Sequence, residues 1–90
     1  MYECHITLYG DRKAIEKKVK ALHLDWHFSA IDGDPDLGEG VKCYLTKHYS
    51  EVHKLEVIIS QMTTVANYLK GFDLCPIRKK IEVIIYDQHY

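Results

Sequence analysis

The sequence predicts an α+β fold: a ferredoxin-like βαββαβ sandwich, with a four-stranded antiparallel sheet and two helices on one face. Three observations predict it. Four stretches alternate apolar and polar residues with period two, and two stretches carry apolar residues at helical spacing. These elements follow one another as β-α-β-β-α-β, which right-handed crossovers close into two split β-α-β units with the usual strand order 4-1-3-2.

The first strand is "YECHITLYG", residues 2 to 10, with Tyr2, Cys4, Ile6 and Leu8 on one side and Glu3, His5, Thr7 and Tyr9 on the other. Gly10 and Asp11 break the alternation, and Asp11 reads as an N-cap. Residues 12 to 23 follow a helical period, with Ile15, Val19 and Leu22 on one face and Arg12, Lys13, Lys17, Lys18 and Lys20 elsewhere. "LDWHFSAI" alternates again, with Leu24, Trp26, Phe28 and Ala30 inward and Asp25, His27 and Ser29 outward. The acidic stretch "DGDPDLGEG", Asp32 through Glu39 and Gly40, reads as a turn-rich loop. "VKCYLTKH" is a third strand, with Val41, Cys43 and Leu45 inward and Lys42, Tyr44, Thr46 and His48 outward. Ser50 is the expected cap of a long helix with the stripe Val52, Leu55, Ile58, Met62, Val65 and Leu69, stopped at Gly71. After Cys75-Pro76, "IRKKIEVIIYD" is the fourth strand, with Ile81, Val83 and Ile85 on one side and Lys80, Glu82, Ile84 and Tyr86 on the other.

Ninety residues support one domain, residues 1 to 90, with one core. At 47% hydrophobic and 28% charged, the composition is that of a globular chain. A formal net charge of -1 gives no basic field for nucleic acid or an anionic membrane. No apolar run approaches the roughly 20 residues of a membrane span, and the N-terminal strand leaves no room for a signal-peptide core. Cys4, Cys43 and Cys75 lack metal-ligand spacing, and two of them sit at core positions of strands. They read as reduced thiols of a cytoplasmic protein.

With both helices on one sheet face, the other face is open. It gathers Glu3, His5, Thr7, Tyr9, Tyr44, Thr46, His48, Lys80, Glu82 and Tyr86, with His27 near the edge. These are proton carriers, anion holders and aromatic walls. An antiparallel register that sets His5-x-Thr7 beside Thr46-x-His48, His near His and Thr near Thr, would pair two imidazoles among hydroxyls. Such a pair suits phosphate chemistry: one His takes a proton from a nucleophile and the other gives one to a leaving oxygen. Thr and Lys side chains hold the non-bridging oxygens.

"HITL" at residues 5 to 8 resembles the His-apolar-Ser/Thr-apolar motif of the two-histidine phosphoesterases, whose paired motifs cleave cyclic phosphates and related esters. The resemblance covers four residues and carries over only His5 and Thr7. The second motif would be "HYSE", which departs from the pattern at Glu51, and that family usually builds its cleft from two lobes of about twice this length.

Plainer readings stand beside these. Polar residues are ordinary on the wet face of an antiparallel sheet, and Lys80 with Glu82 also fits a simple charge pair. His23, His53 and His89 read as surface residues. The acidic loop lacks the Gly and Glu of a calcium loop at its sixth and twelfth positions, where Leu37 and Cys43 stand. RNA-recognition domains share this topology, but their strand-three signature is absent from "VKCYLTKHY".

The expectation is therefore a small cytoplasmic domain, with nucleic acid and membrane not expected as partners and a homodimer expected. It binds a phosphorylated or anionic small ligand, a nucleotide being one example, on its open face. The reaction, if there is one, is phosphoester hydrolysis. His5 and His48 are the candidate catalytic residues, and Thr7, Tyr44, Thr46, Lys80, Glu82 and Tyr86 the ligand-binding ones. No metal or other cofactor is implied. The alternative is a non-catalytic protein-binding adaptor or inhibitor acting as a dimer.

Overall fold

The computed structural model describes residues 1–32, 41–50 and 52–84. The elements along the chain are β1 (Tyr2–Tyr9), α1 (Arg12–Leu22), β2 (His27–Asp32), β3 (Val41–Tyr49), α2 (Leu55–Lys70) and β4 (Cys75–Val83). The architecture is α+β, one four-stranded antiparallel sheet with two helices. The strands lie in the order β2-β3-β1-β4, which counted from the opposite edge is β4-β1-β3-β2. β1 is thus central, bonded to β3 on one side and β4 on the other.

Strict alternation makes β1 two-faced. Cys4, Ile6 and Leu8 are fully buried and share one core with Cys43 and Leu45 of β3, Ile15 and Val19 of α1, and Ile58, Met62 and Leu69 of α2. Burying each of the larger aliphatic side chains contributes about 1.5–3 kcal/mol. The turn from β1 into α1 depends on Gly10, whose φ of 144° is a region that side chains rarely adopt. A Cβ there would also meet Ile15 Cδ1 at 3.3 Å. Asp11 caps α1 as its type predicts, its carboxylate accepting from the Ala14 N–H at 3.0 Å. At the other end His23 takes a left-handed conformation, φ 51°, and its N–H donates to the Lys20 carbonyl.

Several boundaries differ from the sequence expectation. Ser50 does not cap α2: its hydroxyl pairs with His53 Nδ1 at 3.2 Å, and the His53 N–H donates back to the Ser50 carbonyl. That local turn uses up the cap, so α2 starts at Leu55 behind Lys54, which makes no side-chain capping bond. Val52 and Leu55 are therefore exposed instead of heading the stripe, which starts at Ile58, while Ala66 joins it. Gly71 does end α2, but in a right-handed conformation; Asp73 is the left-handed residue, φ 59°. β2 begins at His27, three residues later than the alternation suggested. β4 begins at Cys75 and absorbs Pro76, which an edge strand tolerates. A register shift between Thr7 and Leu8 leaves Ile77 as the extra residue of a bulge. Ile85 and Tyr86, and Gly33 to Gly40 of the acidic loop, lie outside the described residues. Among the described residues no helix is long and apolar enough to cross a membrane.

Candidate functional site

The β1–β3 register decides which side chains meet. His5 pairs with Thr46, Glu3 with His48 and Thr7 with Tyr44. The expected His-to-His pairing is therefore displaced by two residues. Either register keeps every apolar residue on the core face, so the hydrophobic pattern could not choose between them. On the other side of β1, His5 pairs with Lys80 and Glu3 with Glu82. The polar face thus carries two adjoining rows, His27–Thr46–His5–Lys80 and His48–Glu3–Glu82.

One hydrogen bond and four charge contacts join these side chains. His5 Nδ1 lies 2.9 Å from Thr46 Oγ1. His5 Nε2 lies 3.0 Å from Glu3 Oε1 and 3.5 Å from Glu82 Oε1. Two carboxylates at Nε2 require a proton on that nitrogen, and in the neutral ring this leaves the Nδ1 lone pair for the Thr46 hydroxyl. Glu3 also reaches His48, its Oε2 lying 3.3 Å from Nε2, so one carboxylate serves both imidazoles. Glu82 is held in turn by Lys80 at 3.3 Å. The result is a continuous chain, Thr46–His5–Glu3–His48, with Glu82 and Lys80 branching from His5. A hydroxyl, an imidazole and a carboxylate within hydrogen-bond reach is the arrangement that activates an oxygen nucleophile.

The chain ends at solvent. His48 is 53% exposed, and His5, behind it, is 19%. β2 pairs with β3 only as far as His27↔Thr46, so the last residues of β3 run past the end of β2. Beside that overhang lies a wide cleft of about 460 Å³, lined by Leu24, Asp25, Trp26, His27, Thr46, Lys47 and His48. Its lining draws on both faces of β3: His48 and Thr46 from the polar face, and Lys47 from the other, whose Nζ lies 3.4 Å from Asp25 Oδ2 and 5.3 Å from the centre of the Tyr49 ring.

The candidates named from sequence fall into three groups. His5, His48, Thr46, Lys80 and Glu82 come together in this network. Thr7 is 2% exposed and Tyr44 half-buried, so Thr7 lies beneath the surface that a ligand would meet. Tyr86 lies outside the described residues. Glu3, the hub of the network, was legible as an open-face residue two positions before His5, but its bridging role depends on the register. Lys47 and Asp25 reach the cleft because β2 stops short, which no periodicity announces. Lys42 is also buried on the polar side, 2% exposed, with its Nζ 4.9 Å from the centre of the Tyr9 ring.

Among the described residues no group of His, Cys, Asp and Glu is arranged to hold a metal ion, and every buried side-chain nitrogen or oxygen has a hydrogen-bond partner. Burial pushes the Cys4 and Cys43 thiols above their ordinary pKa. It does the same to the Tyr49 phenol, against the opposing pull of Lys47. All three belong to the core and not to the network. Comparison of the chain with protein-family models, curated proteins and solved structures returns no match.

Proposed function

We propose that this chain is a small ferredoxin-like domain of the cytoplasm that binds a phosphorylated or otherwise anionic small ligand at the edge of its polar sheet face, with phosphoester hydrolysis as the reaction of that site. The β-α-β-β-α-β element order and the order β4-β1-β3-β2 support the fold reading. The free, buried thiols Cys4 and Cys43 fit a reducing compartment.

One observation carries the functional reading: the run from Glu3 through His5 ends at Thr46, which lines a cleft together with His27, Lys47 and His48. Lys47 and the imidazoles of His27 and His48 hold the anion's oxygens. Thr46 passes its proton to His5 Nδ1 as it takes one from an attacking water, and Glu3 keeps the His5 ring in the tautomer this needs. The water oxygen bonds to phosphorus, the ester P–O bond breaks, and protonated His48 gives its proton to the leaving oxygen.

Calorimetric titration with inorganic phosphate, and turnover assays on cyclic and linear nucleotides, test this reading. Lys47→Met and His48→Ala should each weaken phosphate binding about tenfold. His5→Ala should leave phosphate binding in place and lower turnover by about 10²–10⁴-fold. Phosphate binding without turnover would keep the ligand site and remove the reaction; binding unaffected by Lys47→Met and His48→Ala would remove the site.

A further inference from the structure

β4 forms one edge of the sheet, and among the described residues no strand pairs with its outer side. Its backbone can be sorted by direction. The Ile84 N–H donates to the Met1 carbonyl at 2.8 Å, and the ladder continues inward as Tyr2↔Val83, Glu3↔Glu82, Cys4↔Ile81, His5↔Lys80 and Ile6↔Lys79. Bonded and non-bonded positions alternate along an antiparallel pair. Ile84, Glu82 and Lys80 therefore turn their N–H and C=O groups toward β1, while Val83, Ile81 and Lys79 turn theirs outward. Such an outward row is a template for another strand unless it is blunted. The bulge at Ile77 and the ring of Pro76 blunt the start of β4 and leave residues 79 to 83 regular.

The side chains at this edge are also unusual for a solvated surface. Val83 is 67% exposed, and Ile59 of α2 is nearly half exposed. Ile59, Met62 and Thr63 of α2 form, with Lys79 and Ile81, an apolar groove of about 210 Å³ along the edge. Lys79 Nζ donates to Thr63 Oγ1 at 3.2 Å, which fixes the groove's rim.

We infer that this edge pairs with β4 of a second copy of the chain, antiparallel about a two-fold axis at Ile81. Charge selects the occupant and the register together. With the axis at Ile81, Lys80 faces the partner's Glu82 and Glu82 faces the partner's Lys80 on the polar side of the sheet. On the helix side Val83 faces the partner's Lys79, bringing its isopropyl group to the partner's groove. Moving the axis by one residue sets Lys80 against its own copy or Glu82 against its own copy, and like charges directly opposite are destabilising. The Ile81 register also puts all three outward residues at bonded positions, giving about six interchain N–H···O bonds. The pairing shares Lys80 and Glu82 with the His5 network but does not depend on the ligand reading.

Sedimentation equilibrium of the full chain over a wide concentration range tests the dimer, and two single charge reversals test its register. Lys80→Glu and Glu82→Lys each place two like-charged contacts across the axis and should weaken the homodimer about ten- to a hundredfold. Each also breaks the 3.3 Å Lys80–Glu82 pair within the chain, so thermal melts should be run beside the association data. Mixing the two variants decides between the causes. In the mixed pair every contact across the axis is attractive while the pair within each chain stays broken, so a heterodimer should form that neither variant forms with itself. Val83→Pro removes one outward donor without touching the β1 ladder and should weaken association by a similar factor. A chain that stays monomeric, a dimer indifferent to all three substitutions, or mixed variants that fail to associate would each overturn the inference.

Discussion

Thr46 and His5 face each other across β3 and β1, with the Thr46 hydroxyl 2.9 Å from His5 Nδ1 and Glu3 on the opposite ring nitrogen. A partly buried imidazole is thereby held at both ends, and its orientation is set before any ligand arrives.

Thr46→Val keeps the shape and removes the hydroxyl, so it should destabilise the fold by about 1 kcal/mol, the usual net worth of such a bond. Urea unfolding of Thr46→Val, His5→Phe and the double variant forms a cycle. The coupling should be about 0.5–1.5 kcal/mol. Strict additivity would mean the two side chains are neighbours without a working bond.

The cysteines should behave as two classes. Cys75 is exposed, and Cys4 and Cys43 are buried. A maleimide should therefore label one site rapidly in native protein and the other two only on unfolding. Burial raises the Cys4 and Cys43 pKa values, and for Cys43 the field of Arg12 opposes this while Asp11 and Glu16 assist it. The unfolded chain then releases its thiol protons first as pH rises, which lowers stability. The contribution is intact below about pH 8.5, where an unfolded thiol ionises, and is lost as pH climbs toward the folded values. Tyr49 adds to the loss at still higher pH. Melting temperatures should be flat near neutrality and fall in alkali. Cys43→Ala should flatten that fall, and an unchanged slope would show that Cys43 is not responsible.

The two helices start differently, and stability should report it. Asp11→Ala removes a working N-cap and should cost about 1 kcal/mol. Lys54 occupies the same position on α2 with no capping bond and puts a positive charge at the positive end of the helix. Lys54→Asp should therefore stabilise the protein by about 0.5–1 kcal/mol in chemical denaturation. A loss on Lys54→Asp would mean that Lys54 does work elsewhere in the fold.

How far this site was legible depends on which symmetry each feature obeys. Period-two alternation assigns a face, so Cys4, Ile6, Leu8, Cys43 and Leu45 were readable as core, and His5, Thr46 and His48 as their opposites. The same alternation is blind to shifts of two residues, which is why Glu3 rather than His5 faces His48. It is equally blind to depth: Thr7 and Lys42 carry polar-face parity and are nonetheless buried. Ser50 had the right chemistry for a helix cap, yet His53, three residues on, competes for its hydroxyl. Lys47 has inward parity but borders the cleft, because β3 outruns its neighbour β2.

β1 writes two messages in one run of eight residues, the odd letters Glu3, His5 and Thr7 interleaved with the even letters Cys4, Ile6 and Leu8. Point substitutions can edit either message alone. A single inserted or deleted residue near Glu3 exchanges them over the rest of the strand, driving the imidazole into the core and the aliphatics into water. Relatives of this chain should therefore vary in β1 by replacement and keep its length, with insertions and deletions displaced into the turns that flank it.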